Sequence, residues 1–251
     1  MKKDEVKAQF GKYAESYVVS EPHARGHSLT RLVDTVAARP DWNVLDVATA
    51  AGHTAFALAP GVAHVWATDI TDEMLTLARE LAREKGLANV TVEHADAEAL
   101  PYPAARFDLV TCRIAAHHFA SVPAFLREAV RVLVPGGRLA VVDNVVPAGP
   151  AGWYVNAFEK LRDSSHGCCL SMAGWRKSFG DAGLEVVHEE TIDKIMVFET
   201  WAARHDEVMQ NYLRAMLSEA SDDVAAFLRP HSQDGTTTFH LCEGLFIVRK
   251  R

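Results

Sequence analysis

The sequence predicts an α/β protein, a largely parallel sheet covered by helices on both faces with a helical cap over one end. Three observations carry this expectation. Short apolar runs alternate with amphipathic segments from Trp42 to Asp143. An acidic residue closes or closely follows each of the first three runs, at Asp46, Asp69 and Asp96. After Asp143 the alternation gives way to long helical patterns before a final apolar run.

Taken in order, residues 1–40 have helical, polar-amphipathic spacing. Phe10, Tyr13, Ala14 and Tyr17 share one face, and Leu29, Leu32, Val33 and Val36 another. Trp42–Val47 reads as a buried strand that turns at Gly52 into a helix continuing through Thr54–Ala59. His64–Asp69 is a second strand, followed by a helix over 72–85 with Met74, Leu77, Ala78 and Leu81 on one face. Val90–His94 and Phe107–Cys112 are the third and fourth strands, and Val122–Leu133 is helical. Pro135-Gly136-Gly137 turns the chain into a fifth strand, Arg138–Asp143. Strand and crossover helix in repetition imply parallel pairing. Beyond it, residues 150–180 and 199–229 are helical in pattern, Leu184–His188 is a sixth strand, and Leu245–Lys250 is the last. The insertion before that strand falls where α/β sheets bind ligands and reads as a lid.

Composition narrows the function. The 251 residues carry a net charge of −7, with acids and bases interspersed, so the basic face a nucleic-acid binder needs is missing. Met1–Glu5 has no apolar core behind its lysines and no run reaches the roughly 18 apolar residues of a membrane span, which predicts a cytoplasmic protein without a secretory signal. Cys112, Cys168, Cys169 and Cys242 lack zinc-site spacing and read as reduced thiols, the adjacent pair as apolar packing.

The chemistry gathers at the strand ends. Asp46 precedes a small-residue loop, Ala48-Thr49-Ala50-Ala51-Gly52, whose lack of bulk lets a ligand approach the backbone and helix N-terminus. A carboxylate there repels pyrophosphate and suits a ligand bearing an ammonium and a sulfonium. Asp69 is placed to accept the vicinal hydroxyls of an unphosphorylated ribose, as in other nucleotide-binding α/β folds. Between Ile70 and Met74 an apolar side chain can stack on adenine, and Asp96-Ala97 offers a carboxylate to its amino group. Any one of these acids could equally cap a turn or helix; three at successive strand ends make a pattern. The Gly-x-Gly-x-x-Gly loop of a nicotinamide dehydrogenase is absent.

Val44–Gly52, Ala67-Thr68-Asp69, Asp96–Pro101, Phe107–Val110 and Pro135-Gly136-Gly137 together resemble the motif series of class I methyltransferases, closest to the ubiquinone/menaquinone-biosynthesis C-methyltransferase group. The resemblance spans residues 40–145 and weakens beyond, where Arg162-Asp163-Ser164-Ser165-His166 and the cap look like a subgroup of uncharacterised members. It implies a Rossmann-like, seven-stranded, mostly parallel sheet whose last strand is antiparallel. It also implies one methyltransferase domain over 1–251, with an N-terminal segment 1–40, a cofactor-binding core 41–145 and a substrate/cap region 146–251. The implied cofactor is S-adenosyl-L-methionine, leaving as S-adenosyl-L-homocysteine.

The resemblance departs at the loop, where Ala48 and Ala50 replace two customary glycines. At positive φ each alanine costs about 1 kcal/mol or more and its methyl crowds the cofactor; at negative φ the cost is small. Arg113–Phe119 would border the transferable methyl. The acceptor must lie within about 3–3.5 Å of that carbon and lose a proton, a task suited to His117 or His118. Each histidine could equally be an N-cap or a packing residue. Tyr17, His23, Arg162 and His166 are candidate substrate residues, although Arg162–His166 also fits a surface salt bridge with a capping serine. Asp143-Asn144, without further aligned carboxylates, argues against a metal. Aromatic and Met residues over 196–216 fit cap packing or, if they face the pocket, an apolar acceptor. The expected partner is a small-molecule substrate, neither nucleic acid nor a membrane span is expected, and a homodimer is an open option. The reading is a C- or O-methyltransferase of a small aromatic or quinone-like molecule. Its alternatives are an S-adenosylmethionine-binding scaffold or cyclase-like protein and, with little support, a dehydrogenase.

Overall fold

A computed structural model describes residues 2–12 and 26–251. The chain runs through α1 (Lys2–Lys12), α2 (His27–Val36), β1 (Asn43–Val47), α3 (His53–Leu58), β2 (His64–Asp69), α4 (Asp72–Glu84), β3 (Val90–His94) and β4 (Phe107–Arg113). It continues with α5 (Val122–Val132), β5 (Leu133–Val145), α6 (Pro150–Arg162), α7 (Met172–Asp181) and β6 (Leu184–Val197). Then come α8 (Phe198–Ala202), α9 (Glu207–Ser218), α10 (Asp222–Leu228), β7 (His231–Gln233) and β8 (Thr236–Lys250).

The sheet order is β3-β2-β1-β4-β5-β8-β6, with β7 paired only to β8. β1 to β5 pair in parallel, and β8 runs antiparallel to both β5 and β6. The order reverses between β1 and β4, which opens a crevice at their carboxyl ends. The seven-stranded main path is therefore as expected, and the three-residue β7 adds an eighth strand.

The central strands read as continuous apolar runs because both faces are buried. Leu139 and Val141 of β5, with Phe246 and Val248 of β8, pack toward Phe125, Trp175 and Phe179. Their neighbours Ala140, Val142, Leu245 and Ile247 face the opposite core with Leu32, Val36, Ala55 and Ala78. Ser121 starts α5 by accepting from the Ala124 amide at 3.2 Å, with Pro123 in the first turn.

A third core belongs to the cap. Phe158 stacks on Trp201 with centroids 4.7 Å apart, and Phe239 meets both rings edge-on. Phe239 and Leu241 belong to β8, so the cap grows out of the sheet: β6 and β8 extend together beyond the central strands and carry it. This lengthens two expected strands, 184–188 to 184–197 and 245–250 to 236–250. The expected 150–180 helix is two helices, because the chain leaves helical geometry at Asp163. The 199–229 pattern is three, with Asp206 opening α9 by accepting from the Met209 amide. Among the described residues no helix is long and apolar enough to cross a membrane.

Candidate active site

One crevice at the β1/β4 reversal takes in the strand ends. Its space is about 1010 Å3 with the open solvent at its mouth included. Asp46, Asp69 and Asp96 all reach its wall, with Ala48, Thr49, Ala50 and Ala51 between them.

Asp46 is 1% exposed. It lies across from Thr111 in the β1–β4 register, and Thr111 Oγ1 donates to its Oδ1 at 2.6 Å. Thr49 Oγ1 donates to its Oδ2, also at 2.6 Å. Burial pushes the Asp46 carboxyl up to about 6 against these two hydroxyls.

The loop after it takes the strained option. Ala48 and Ala50 lie at φ 54° and 49°, the left-handed region. That geometry lets the Ala50 amide donate to Asp69 Oδ2 at 2.9 Å, while the Thr71 amide donates to Oδ1 at 2.9 Å. Burial raises the Asp69 carboxyl while those amides oppose it. Gly52 is required outright: its φ is 92°, and a Cβ there would lie 2.2 Å from the Phe56 ring. It shapes the loop without lining the crevice.

Ile70 and Ala97 line the crevice, but Met74 does not. Met74 is 0% exposed within α4, so its expected stacking on adenine is corrected. Asp96 accepts from Lys3 Nζ at 2.5 Å, and Lys3 also meets Glu98 at 3.2 Å. Burial would raise Asp96, but Lys3 outweighs it and holds the carboxyl low. Lys3, Val6 and Phe10 thus bring α1 across this wall, which helical spacing alone did not foretell.

Arg113, Ile114, Ala115, His118 and Phe119 form the other end. Arg113 Nε donates to Thr54 Oγ1 at 3.0 Å. The two histidines part company here. His118 lines the crevice, whereas His117 lies behind it. Asp143 accepts from the His117 amide at 2.8 Å and meets His117 Nδ1 at 2.5 Å. Burial disfavours the His117 imidazolium, but Asp143 outweighs burial and raises its pKa. His118 goes the other way: burial and the neighbouring His117 keep it neutral, well below the ordinary value. The rings sit 4.1 Å apart.

The remaining candidates divide. Tyr17 and His23 lie outside the described residues. Neither Arg162 nor His166 lines the crevice, and the His166 ring lies 5.4 Å from that of His117. His166 meets Asn156 Oδ1 at 2.9 Å, and Arg162 lies over Trp201. The surface reading of the 162–166 segment is corrected, since Asp163, Ser165 and His166 are buried. Cys169 packs in the cap, but Cys168 is exposed; all four thiols are free. Missed altogether was Glu159, buried with Oε1 lacking a hydrogen-bond partner among the described residues and its carboxyl raised by burial. Among the described residues no group of three His, Cys, Asp or Glu is arranged to hold a metal.

The donor set fits S-adenosylmethionine. Three carboxylates around a small-residue loop favour a cation with ribose hydroxyls, and apolar Ile70, Ala97 and Phe119 suit an aromatic base and thioether chain.

Comparison with known proteins agrees. A methyltransferase domain model matches residues 45–141. The uncharacterized methyltransferase YcgJ of Bacillus subtilis is 34% identical over 231 residues, 89% of this chain and 91% of that protein. The demethylmenaquinone methyltransferase of Deinococcus radiodurans is 44% identical over 108 residues, 42% of this chain and 44% of that enzyme. The crystal structure of a candidate methyltransferase from Bacillus halodurans aligns with a TM-score of 0.85 at 35% identity, covering 90% of this chain and 99% of that one.

Proposed function

This chain belongs to the class I S-adenosylmethionine-dependent methyltransferases, and from that premise we propose that it methylates a C or O atom of a small aromatic or quinone-like molecule, with His118 as the base. The observation that carries the choice of base is the division of the adjacent pair: of the two, His118 lines the crevice and His117 is committed to Asp143. A neutral imidazole on the crevice wall can take an acceptor's proton, whereas the His117 ring is turned to Asp143 behind that wall.

Asp46 and the Ala48–Gly52 loop hold the methionine end, Asp69 the ribose, Asp96 and Ala97 the adenine amino edge, and Ile70 the adenine face. Arg113 braces the far end through Thr54. The bound cofactor supplies an electrophilic methyl group, so the protein's tasks are to orient the acceptor, exclude water and accept its proton. The apolar side chains of Phe10 and Ile114, on the same wall as His118, support an aromatic or quinone-like acceptor.

The test is incubation with S-adenosylmethionine and pools of phenols and quinols, read by mass spectrometry for S-adenosylhomocysteine and methylated product. The reading predicts both products, and their loss in His118→Asn. A second reading, cofactor binding without methyl transfer, has the left-handed alanines in its favour. Full thermal stabilisation by the cofactor, about 2.7 kcal/mol at 100 times Kd, with no turnover in any pool would favour it.

A further inference from the structure

We propose that Asp163, acting through Ser165, is a positioning residue that fixes the tautomer of His118 and turns its Nε2 lone pair toward the crevice; this deepens the reading of His118 as the base. The feature is a chain of three buried groups joined across the cap boundary. Asp163 Oδ1 accepts from Ser165 Oγ at 2.6 Å and from the Ser165 amide at 2.9 Å. Ser165 then presents two oxygens to His118 Nδ1, its carbonyl at 3.1 Å and its hydroxyl at 3.2 Å.

Hydrogen counting decides what His118 must be. A carbonyl only accepts. The Ser165 hydroxyl has a single hydrogen, and the short bond to Asp163 takes it, so toward His118 this oxygen also only accepts. Both contacts therefore call for a hydrogen on Nδ1. In a neutral imidazole the other nitrogen, Nε2, is then the bare acceptor. Since Nδ1 points at Ser165 and the ring lines the crevice, Nε2 is the nitrogen left for an acceptor's proton.

The carboxylate at the head of the chain is well secured. Asp163 Oδ2 lies 3.3 Å from Arg204 and 4.0 Å from Arg162. Burial would raise its carboxyl, but the Ser165 hydroxyl and amide and the Arg204 charge help bring it down to about 2. The turn itself is clamped to the histidines, because the Gly167 and Cys168 amides donate to the His117 carbonyl at 2.9 and 3.0 Å. Facing His118 are His117, with Asp143 behind it; Asp163, Ser165 and His166 of the turn; and the Phe10 ring of α1, 5.0 Å away. His117 opposes a proton on His118 and Asp163 favours one. In the proposed step the acceptor's C–H or O–H bond breaks and an Nε2–H bond forms. The resulting imidazolium then points its Nδ1–H along the chain toward the Asp163 charge.

Long-range proton–nitrogen correlation spectra of the nitrogen-15-labelled full chain test this without cofactor or acceptor. Wild type is expected to hold His118 as a single Nδ1–H tautomer. In Asp163→Asn the serine hydroxyl faces a neutral amide oxygen in place of an anion and donates more readily to Nδ1, so the Nε2–H form should grow by up to about tenfold, the scale of one hydrogen bond. The His118 titration midpoint should also fall, because the anion favouring its protonated form is gone. Ser165→Ala, which keeps the carbonyl acceptor, should show a smaller shift in the same direction, and it serves if Asp163→Asn does not fold by thermal melt. An Nε2–H tautomer in wild type overturns the proposal, and so does an unchanged tautomer and midpoint in both variants. The base role is judged separately, by turnover of His118→Asn; undiminished turnover there would sink the base and leave the tautomer to the spectra.

Discussion

The two ends of the crevice are built by different means. At the proposed cofactor end, Asp46, Asp69 and Asp96 close or follow consecutive strands, and each pairs a local support with a remote one: Thr49 with Thr111, Thr71 with Ala50, and the Glu98 amide with Lys3. At the acceptor end the partners are distant. His117 meets Asp143 26 residues on, and His118 meets Ser165 47 residues on, from beyond α6. The first end is made by parallel strands stopping in register, the second by a cap docking on the sheet. The cofactor end can therefore be shared by relatives whose caps, and acceptors, differ.

Substitutions can separate the two ends. The largest effect is expected at the acceptor end. His118→Asn should lower kcat by about 10²–10⁴-fold, the range of a lost general base. Calorimetric affinity for S-adenosylmethionine should stay within about threefold, since the carboxylate wall is untouched. A large loss of affinity with little change in kcat would reverse the assignment of the two ends.

At the cofactor end, Asp69→Ala should weaken cofactor binding by about 1.5–3 kcal/mol, a lost charged hydrogen bond. It also removes the acceptor for the Ala50 and Thr71 amides, so the loop should exchange its amide hydrogens faster. Unchanged calorimetric affinity would remove Asp69 from the ribose.

Asp46 should show function and stability pulling in opposite directions. Its carboxyl releases a proton near pH 4 when unfolded but near 6 in the fold. The native state thus binds the extra proton between those values, and stability falls as pH rises through that window. Asp46→Asn escapes the penalty. It should be more stable than wild type by about 2 kcal/mol at pH 7, with no gain below pH 4, and should bind the cofactor more weakly. Melting curves at the two pH values check the sign.

The smallest effect is expected at the loop alanines. Ala48→Gly and Ala50→Gly each relieve a left-handed residue worth about 1 kcal/mol, offset by about 0.4–1 kcal/mol of added unfolded-state entropy. Each should change stability by no more than about 0.5 kcal/mol in denaturant titrations. A larger gain would mean that the alanines hold the loop under strain.

Much of this was legible in the amino-acid sequence. The apolar runs of β1, β2, β4 and β5 and the Gly52 turn specify a doubly wound sheet, since strands buried on both faces have no polar side to hide. Acids at three strand ends mark the ligand because parallel strands bring their carboxyl ends together whatever the loops do. Left unread were the reach of α1 over Asp96, since an amphipathic pattern names no partner, and the burial of Met74, whose helical face points to the sheet. Nor could spacing tell His117 from His118, neighbours in the chain with the same chemistry. Their difference arises only when β5 delivers Asp143 to one and the turn after α6 delivers Ser165 to the other. Fold and cofactor follow from periodicity and chain-local chemistry, which a sequence records directly. The proposed base follows from which remote carboxylate and hydroxyl are carried to which ring, and that depends on how the cap packs against the sheet.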